Sequence, residues 1–157
     1  MEVRRFIPVY LLALALMAGF FVTSACRADP AVTISRPGGR SVTFQVEVAD
    51  TPGKRELGLM YRRDLPNDHG MIFLFPAETE QAFWMKNTPI PLDMIFISSK
   101  RRIVGIVQRA APFTLDARSV PGASQYVLEI NGGLSERYGF KPGDRVEFTN
   151  IPVDVAE

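Results

Sequence analysis

The clearest pattern in the chain is the strict alternation from Ser41 to Ala49, which puts Val42, Phe44, Val46 and Val48 on one side and Thr43, Gln45 and Glu47 on the other. A period of two residues marks an extended strand with one face buried and the other in water. Arg36-Pro37-Gly38-Gly39-Arg40 turns into that strand from a partner at Ala31 to Ser35. Runs rich in β-branched and aromatic residues follow at Met71–Phe75, Gln81–Lys86, Leu92–Ser98, Arg102–Arg109, Gln125–Ile130 and Arg145–Asn150, separated by proline, glycine or charged turns. That makes about eight strands. Only Pro52–Leu57, with Thr51 as N-cap and Gly58 as stop, and Leu134–Tyr138, closed by Gly139, carry helix signals. The pattern is mainly β and predicts a single antiparallel β-sandwich or closed barrel of the jelly-roll type with one or two short helices.

The first residues break this pattern. Arg4 and Arg5 precede an uncharged run from Phe6 to Ala25 that ends in small residues, the layout of a secretory leader. The expected organisation is a signal peptide over residues 1–25, a tether over 26–30 and one β domain over 31–157. Cys26 directly after Ser24-Ala25 resembles the lipobox of bacterial lipoproteins, although Thr23 stands where that motif usually has leucine. Ordinary cleavage after Ala28 and an uncleaved anchor are the alternatives. Each reading makes the protein exported, either periplasmic or membrane-anchored and facing the periplasm or the cell exterior, and touching the membrane only through its leader or a lipid.

Setting aside Arg4, Arg5 and Glu2 of the leader leaves 16 basic and 16 acidic residues from totals of 18 and 17. A formally neutral domain has no bias toward nucleic acid or toward a charged partner. Its length suffices for a stable monomeric core without disulfides, and Cys26 as the only cysteine excludes an intramolecular one.

Chemistry concentrates in Phe83-Trp84-Met85-Lys86-Asn87-Thr88 and the following Pro89-Ile90-Pro91-Leu92-Asp93, which holds the only tryptophan. Asp93 opens a strand whose other positions are apolar, so it needs donors or a cation. Lys86, Arg62 and Arg63 supply cations by type. The leading expectation is a non-covalent binding or accessory module of the cell envelope. Trp84, Lys86, Asn87 and Asp93, helped by Arg62 or Arg63, would hold a small molecule, a glycan or peptide fragment, or an envelope protein. Against it stands a structural reading: Trp84 plugs the core, Asn87 and Thr88 satisfy a turn, and Asp93 caps a strand end.

Two alternatives use other residues. Asp93 and Glu129 could act as an acid–base pair on an envelope sugar if they share a cleft, whereas a Glu129 that only pairs with an arginine on the sheet surface would do no chemistry. The single histidine, His69, excludes multi-histidine zinc and iron sites. Copper(I) held by His69 with Met60, Met71 and Met85, and Met94 nearby, is conceivable because thioethers suit a soft ion, but methionines in strands mostly fill core gaps. No Gly-x-Ser-x-Gly elbow is present, and no cofactor is implied.

Gly58-Leu59-Met60, Gly70-Met71-Ile72-Phe73, Phe83 to Thr88, Ile90-Pro91-Leu92-Asp93, Val127-Leu128-Glu129 and Gly143-Asp144-Arg145-Val146 occur in this order. The chain thereby resembles the prokaryotic domain of unknown function family 192 over roughly Val42 to Phe148. The resemblance implies a compact, mostly β single domain and brings no established activity.

Overall fold

The computed structural model describes residues 28–153; the leader, Cys26 and its lipobox-like context lie outside the described residues. The strands are β1 (Ala31–Ser35), β2 (Val42–Ala49), β3 (His69–Thr79), β4 (Leu92–Ile97), β5 (Ile103–Ala110), β6 (Ser124–Asn131) and β7 (Arg145–Thr149), and the helices are α1 (Pro52–Leu57) and α2 (Leu134–Tyr138). All seven strands join one sheet in the order β5-β4-β6-β3-β2-β1-β7.

The sheet is mixed, which corrects the all-antiparallel expectation. β2 and β3 run parallel, with Val46 beside Gly70 and Val48 beside Ile72. The cause lies in the connection: α1 and the loop after it carry the chain back to the starting end of the sheet, as a parallel neighbour requires. The sheet curls on itself into a half-barrel. Near the start of β5, Ile103 N donates to Asp144 O and Val146 N donates to Arg101 O, so both sheet edges meet at one corner. No second sheet is formed among the described residues, and the jelly-roll arrangement is not what the topology shows.

Gln81–Lys86 is not a strand. Phe83 exchanges hydrogen bonds with Arg118 at 2.9 and 2.7 Å, and Met85 N donates to Thr114 O. The period-two reading of this segment nonetheless holds at side-chain level. Phe83 packs edge-on against Phe73, Phe75 and Phe96, Met85 is fully buried, and Trp84 between them points out. Core packing extends this segment, while partner backbone is available at only a few points.

Both faces of the central strands are covered. One core gathers Phe44, Val46, Ile72, Leu74, Ile95, Leu128 and Ile130 under Leu134 and Phe140. The other gathers Met71, Phe73, Met94, Phe96 and Val127 under Leu59 and Met85. β4 is accordingly buried at all six positions, which explains its unbroken apolar run. Each large side chain buried this way contributes roughly 1.5–3 kcal/mol relative to exposure. In β2 the alternating side read from sequence does face this core, with Phe44 and Val46 buried and Val42 and Val48 packed against it.

Candidate functional site

Asp93 is fully buried and satisfied by backbone and hydroxyl donors, with no ion-pair partner among the described residues. Oδ1 accepts from Arg109 N at 2.8 Å and Gly133 N at 2.9 Å, and Oδ2 accepts from Ser135 N at 2.8 Å and Ser135 Oγ at 2.6 Å. The carboxylate thus caps the first turn of α2, whose own N-cap residue is Gly133 at φ 94° and has no side chain to do so. This corrects the binding role expected for Asp93. Neither Lys86 nor Arg62 nor Arg63 reaches it, and it belongs to the α2 side of the sheet.

The acid–base pair is likewise dismissed by register. Asp93 stands opposite Ile130, and Glu129 stands opposite Met94. Successive residues of a strand point to opposite faces, so the sheet itself separates the two carboxyls.

Glu129 is where sequence reasoning went furthest astray. It pairs with no surface arginine but is 4% exposed on the aromatic face of the sheet. Its neighbours in the row across the strands are Met94 of β4 and Met71 of β3. Thioethers donate no hydrogen bond, and no donor reaches the Glu129 carboxyl among the described residues. Burial alone pushes its pKa up to about 8. The signal was present in Val127-Leu128-Glu129-Ile130, one acid inside an apolar run, but the missing partner could be seen only once the methionines on either side were placed.

Glu129 forms part of the lining of a cavity of about 430 Å³. Phe73, Phe75 and Phe83 line its walls, and Leu57, Trp84 and Leu115 reach its solvent side, Trp84 being 47% exposed. Gly58, at φ 48°, ends α1 with its N–H bonded to Lys54 O and turns the chain so that Leu59 enters the core while Met60 joins the lining. The site therefore offers aromatic walls around the buried carboxyl of Glu129, which has no donor among the described residues, with the exposed Glu56 and the half-buried Arg55 also in its lining.

The other expected site residues are dispersed. Lys86 Nζ lies 5.1 Å from the centroid of the Trp84 ring. Asn87, at φ 53°, is a turn residue whose Nδ2 donates to Tyr61 Oη at 2.8 Å. Arg62 pairs with Glu47 at 2.7 Å, and with Arg63 and His69 it borders a separate hollow next to Asp29 and Pro30. His69 Nδ1 is 2.8 Å from Asp68, whereas Met71, Met85 and Met94 are packed in the core. No hollow among the described residues is lined by both His69 and a methionine, so nothing brings the imidazole and the sulfurs together as copper(I) would need. No group of three or more His, Cys, Asp or Glu side chains placed for a metal occurs among the described residues.

The match to known proteins is extensive. The model of the family DUF192, described as an uncharacterised ACR, matches residues 33–148. The chain belongs to this family. UPF0127 proteins of Thermococcus sibiricus and Pyrococcus furiosus are 29% and 28% identical to it, over 73% and 72% of this chain and 73% and 94% of their own. Two crystal structures are similar. One, of a protein of unknown function from Novosphingobium aromaticivorans, is 43% identical with a TM-score of 0.72, covering 74% of this chain and 83% of that one. The other, from Sinorhizobium meliloti and described as a candidate transcription regulator, is 42% identical with a TM-score of 0.74, covering 78% and 95%. The family itself has no assigned function, so the activity has to be argued from the cavity.

Proposed function

We propose that this protein is a non-covalent binding module of the cell envelope that takes a small organic cation with an apolar body into the cavity below Trp84. The observation that carries this reading is the Glu129 carboxyl, buried in the cavity lining with no donor among the described residues. A buried acid without a partner is costly in its ionised form, and a bound ammonium group would supply the missing charge and hydrogen bonds. The walls supply the apolar area such a ligand needs, from Phe73, Phe75, Phe83 and Trp84, and Arg55 over Phe75 and Lys86 over Trp84 show that these rings accept cations. The envelope placement is supported by Arg4, Arg5 and the apolar run Phe6–Ala25. The regulator description of the Sinorhizobium meliloti protein is not carried over, since the part after the leader is formally neutral and carries no overall basic bias toward nucleic acid.

The sole tryptophan provides the assay. Titration with alkylammonium ions of four to eight carbons should change Trp84 emission saturably, whereas the matching alkanoates should not. Glu129→Gln should weaken ammonium binding at least ~10-fold, equivalent to ~1.4 kcal/mol or more. Equal binding of alkanoates, or unchanged affinity in the folded Glu129→Gln protein, overturns the reading.

A further inference from the structure

Apart from Val153, every exposed large apolar side chain among the described residues lies at the end of α1 or on loops: Leu57 closes the helix, and Tyr61, Trp84, Phe113 and Leu115 are on loops. Backbone hydrogen bonds stitch those loops together, from Tyr61 N to Asn87 O at 2.7 Å, from Phe113 N to Thr88 O at 3.2 Å and from Met85 N to Thr114 O at 2.9 Å. Leu57, Trp84 and Leu115 line the Glu129 cavity, Tyr61 and Phe113 line a second hollow with Asn87 and Pro89, and these bonds hold the two sets together as one rim. Two of them sit in left-handed backbone, Tyr61 at φ 64° and Phe113 at φ 59°, a conformation that costs energy for bulky residues and here turns aromatic rings toward solvent. Isolated exposed apolar residues need no explanation, but a strained, concentrated rim points to an occupant.

The N-terminus indicates which occupant. Pro30 O accepts from Val46 N and so is fixed to the sheet. Asp29 and Pro30 border the hollow that Tyr61 and Arg63 also line, so the chain enters the fold beside this rim. Only three residues, Arg27, Ala28 and Asp29, separate Cys26 from Pro30, four steps along the chain and a reach of at most ~14 Å. An N-terminus attached to a membrane, either by a lipid on Cys26 or by the run Phe6–Ala25, would hold this end of the fold within that distance of the bilayer. Among the described residues no helix is long and apolar enough to cross a membrane.

We propose that the rim of Leu57, Tyr61, Trp84, Phe113 and Leu115 docks on the phospholipid bilayer to which the N-terminal segment attaches the chain, so that the Glu129 cavity opens toward the lipid interface. The proposal rests on the envelope placement in the reading above, taken as membrane attachment through the N-terminal segment, and not on the ligand. Tyrosine and tryptophan suit this position, their rings having an apolar body and one polar edge. Lys86 over the Trp84 ring and Arg63 beside Tyr61 have no carboxylate partner among the described residues and would lie at headgroup level. Glu56 and Asp64 border the same surface, so docking is carried by apolar insertion and should persist in raised salt.

The full chain, reconstituted into phosphatidylcholine vesicles, makes Trp84 a depth gauge. Lipids brominated near the headgroup end of the acyl chain should quench its emission, and aqueous iodide should not. The combined substitutions Leu57→Ser, Tyr61→Ser, Phe113→Ser and Leu115→Ser should abolish the bromine quenching while the protein still floats with the vesicles and keeps its far-ultraviolet circular dichroism. A chain that does not float overturns both the attachment and the docking. A floating chain whose Trp84 is open to iodide and untouched by bromine overturns docking alone. Shielding from iodide without bromine quenching also overturns it, and assigns the rim to a second copy or another protein.

Discussion

Glu129 of β6 stands directly opposite Met94 of β4, with Met71 of β3 on its other side. An acid between two thioethers has no donor in its own row. Its position defines the candidate site and also makes it a source of pH dependence.

The sign follows from the raised pKa. Glu129 moves from 4.5 in the unfolded chain to about 8 in the folded protein, so the folded state binds the proton more tightly. Its contribution favours folding most below pH 4.5, is lost progressively as pH rises to 8 and is constant above that. Glu129→Met, which continues the methionine row, should flatten this part of the profile and stabilise the protein above pH 8 by on the order of a few kcal/mol. Urea unfolding at a series of pH values measures it, and an unchanged slope between pH 5 and 8 would refute the assignment.

Ligand binding should move the same proton. With its pKa raised to about 8, Glu129 would be mostly protonated at pH 7, and an ammonium ligand would ionise it, so binding should release up to one proton. Above pH 8 the release should fade because the group is already ionised. Calorimetry in buffers of different ionisation enthalpy reads the number directly, and proton uptake would contradict the proposed ligand.

Asp93→Asn keeps the shape of the α2 cap but replaces one acceptor by a donor facing backbone N–H groups. We expect a loss of about 2–4 kcal/mol, and about 1–2 kcal/mol for Ser135→Ala, which removes one of the four donors. Because Asp93 and the cavity lie on opposite faces, the folded fraction of either variant should bind alkylammonium ions normally. Weaker binding by folded protein would show that the capped helix shapes the cavity.

Neighbours in the central segment should behave oppositely. Met85→Ala opens the core and should cost about 2–5 kcal/mol. Trp84→Ala should change stability by less than ~0.5 kcal/mol and reduce ligand affinity; with the tryptophan gone, calorimetry provides the readout. Equal destabilisation by both would make Trp84 a core residue after all.

The sequence by itself determined most strand positions, the two helices, the inward face of Val42, Phe44, Val46 and Val48, and the family. These are local properties, since alternation, caps and glycine stops act through near neighbours. Only the tertiary structure decided that β2 and β3 run parallel, that the sheet curls instead of stacking on a second sheet, and which carboxyl is satisfied. Asp93 and Glu129 look alike in sequence, each an acid in an apolar strand. One meets Arg109, Gly133 and Ser135 from distant parts of the chain, while the other meets Met71 and Met94. Whether a buried charge is capped or left without a partner depends on strand register and on the residues that fold over it, and neither is encoded in its immediate neighbours.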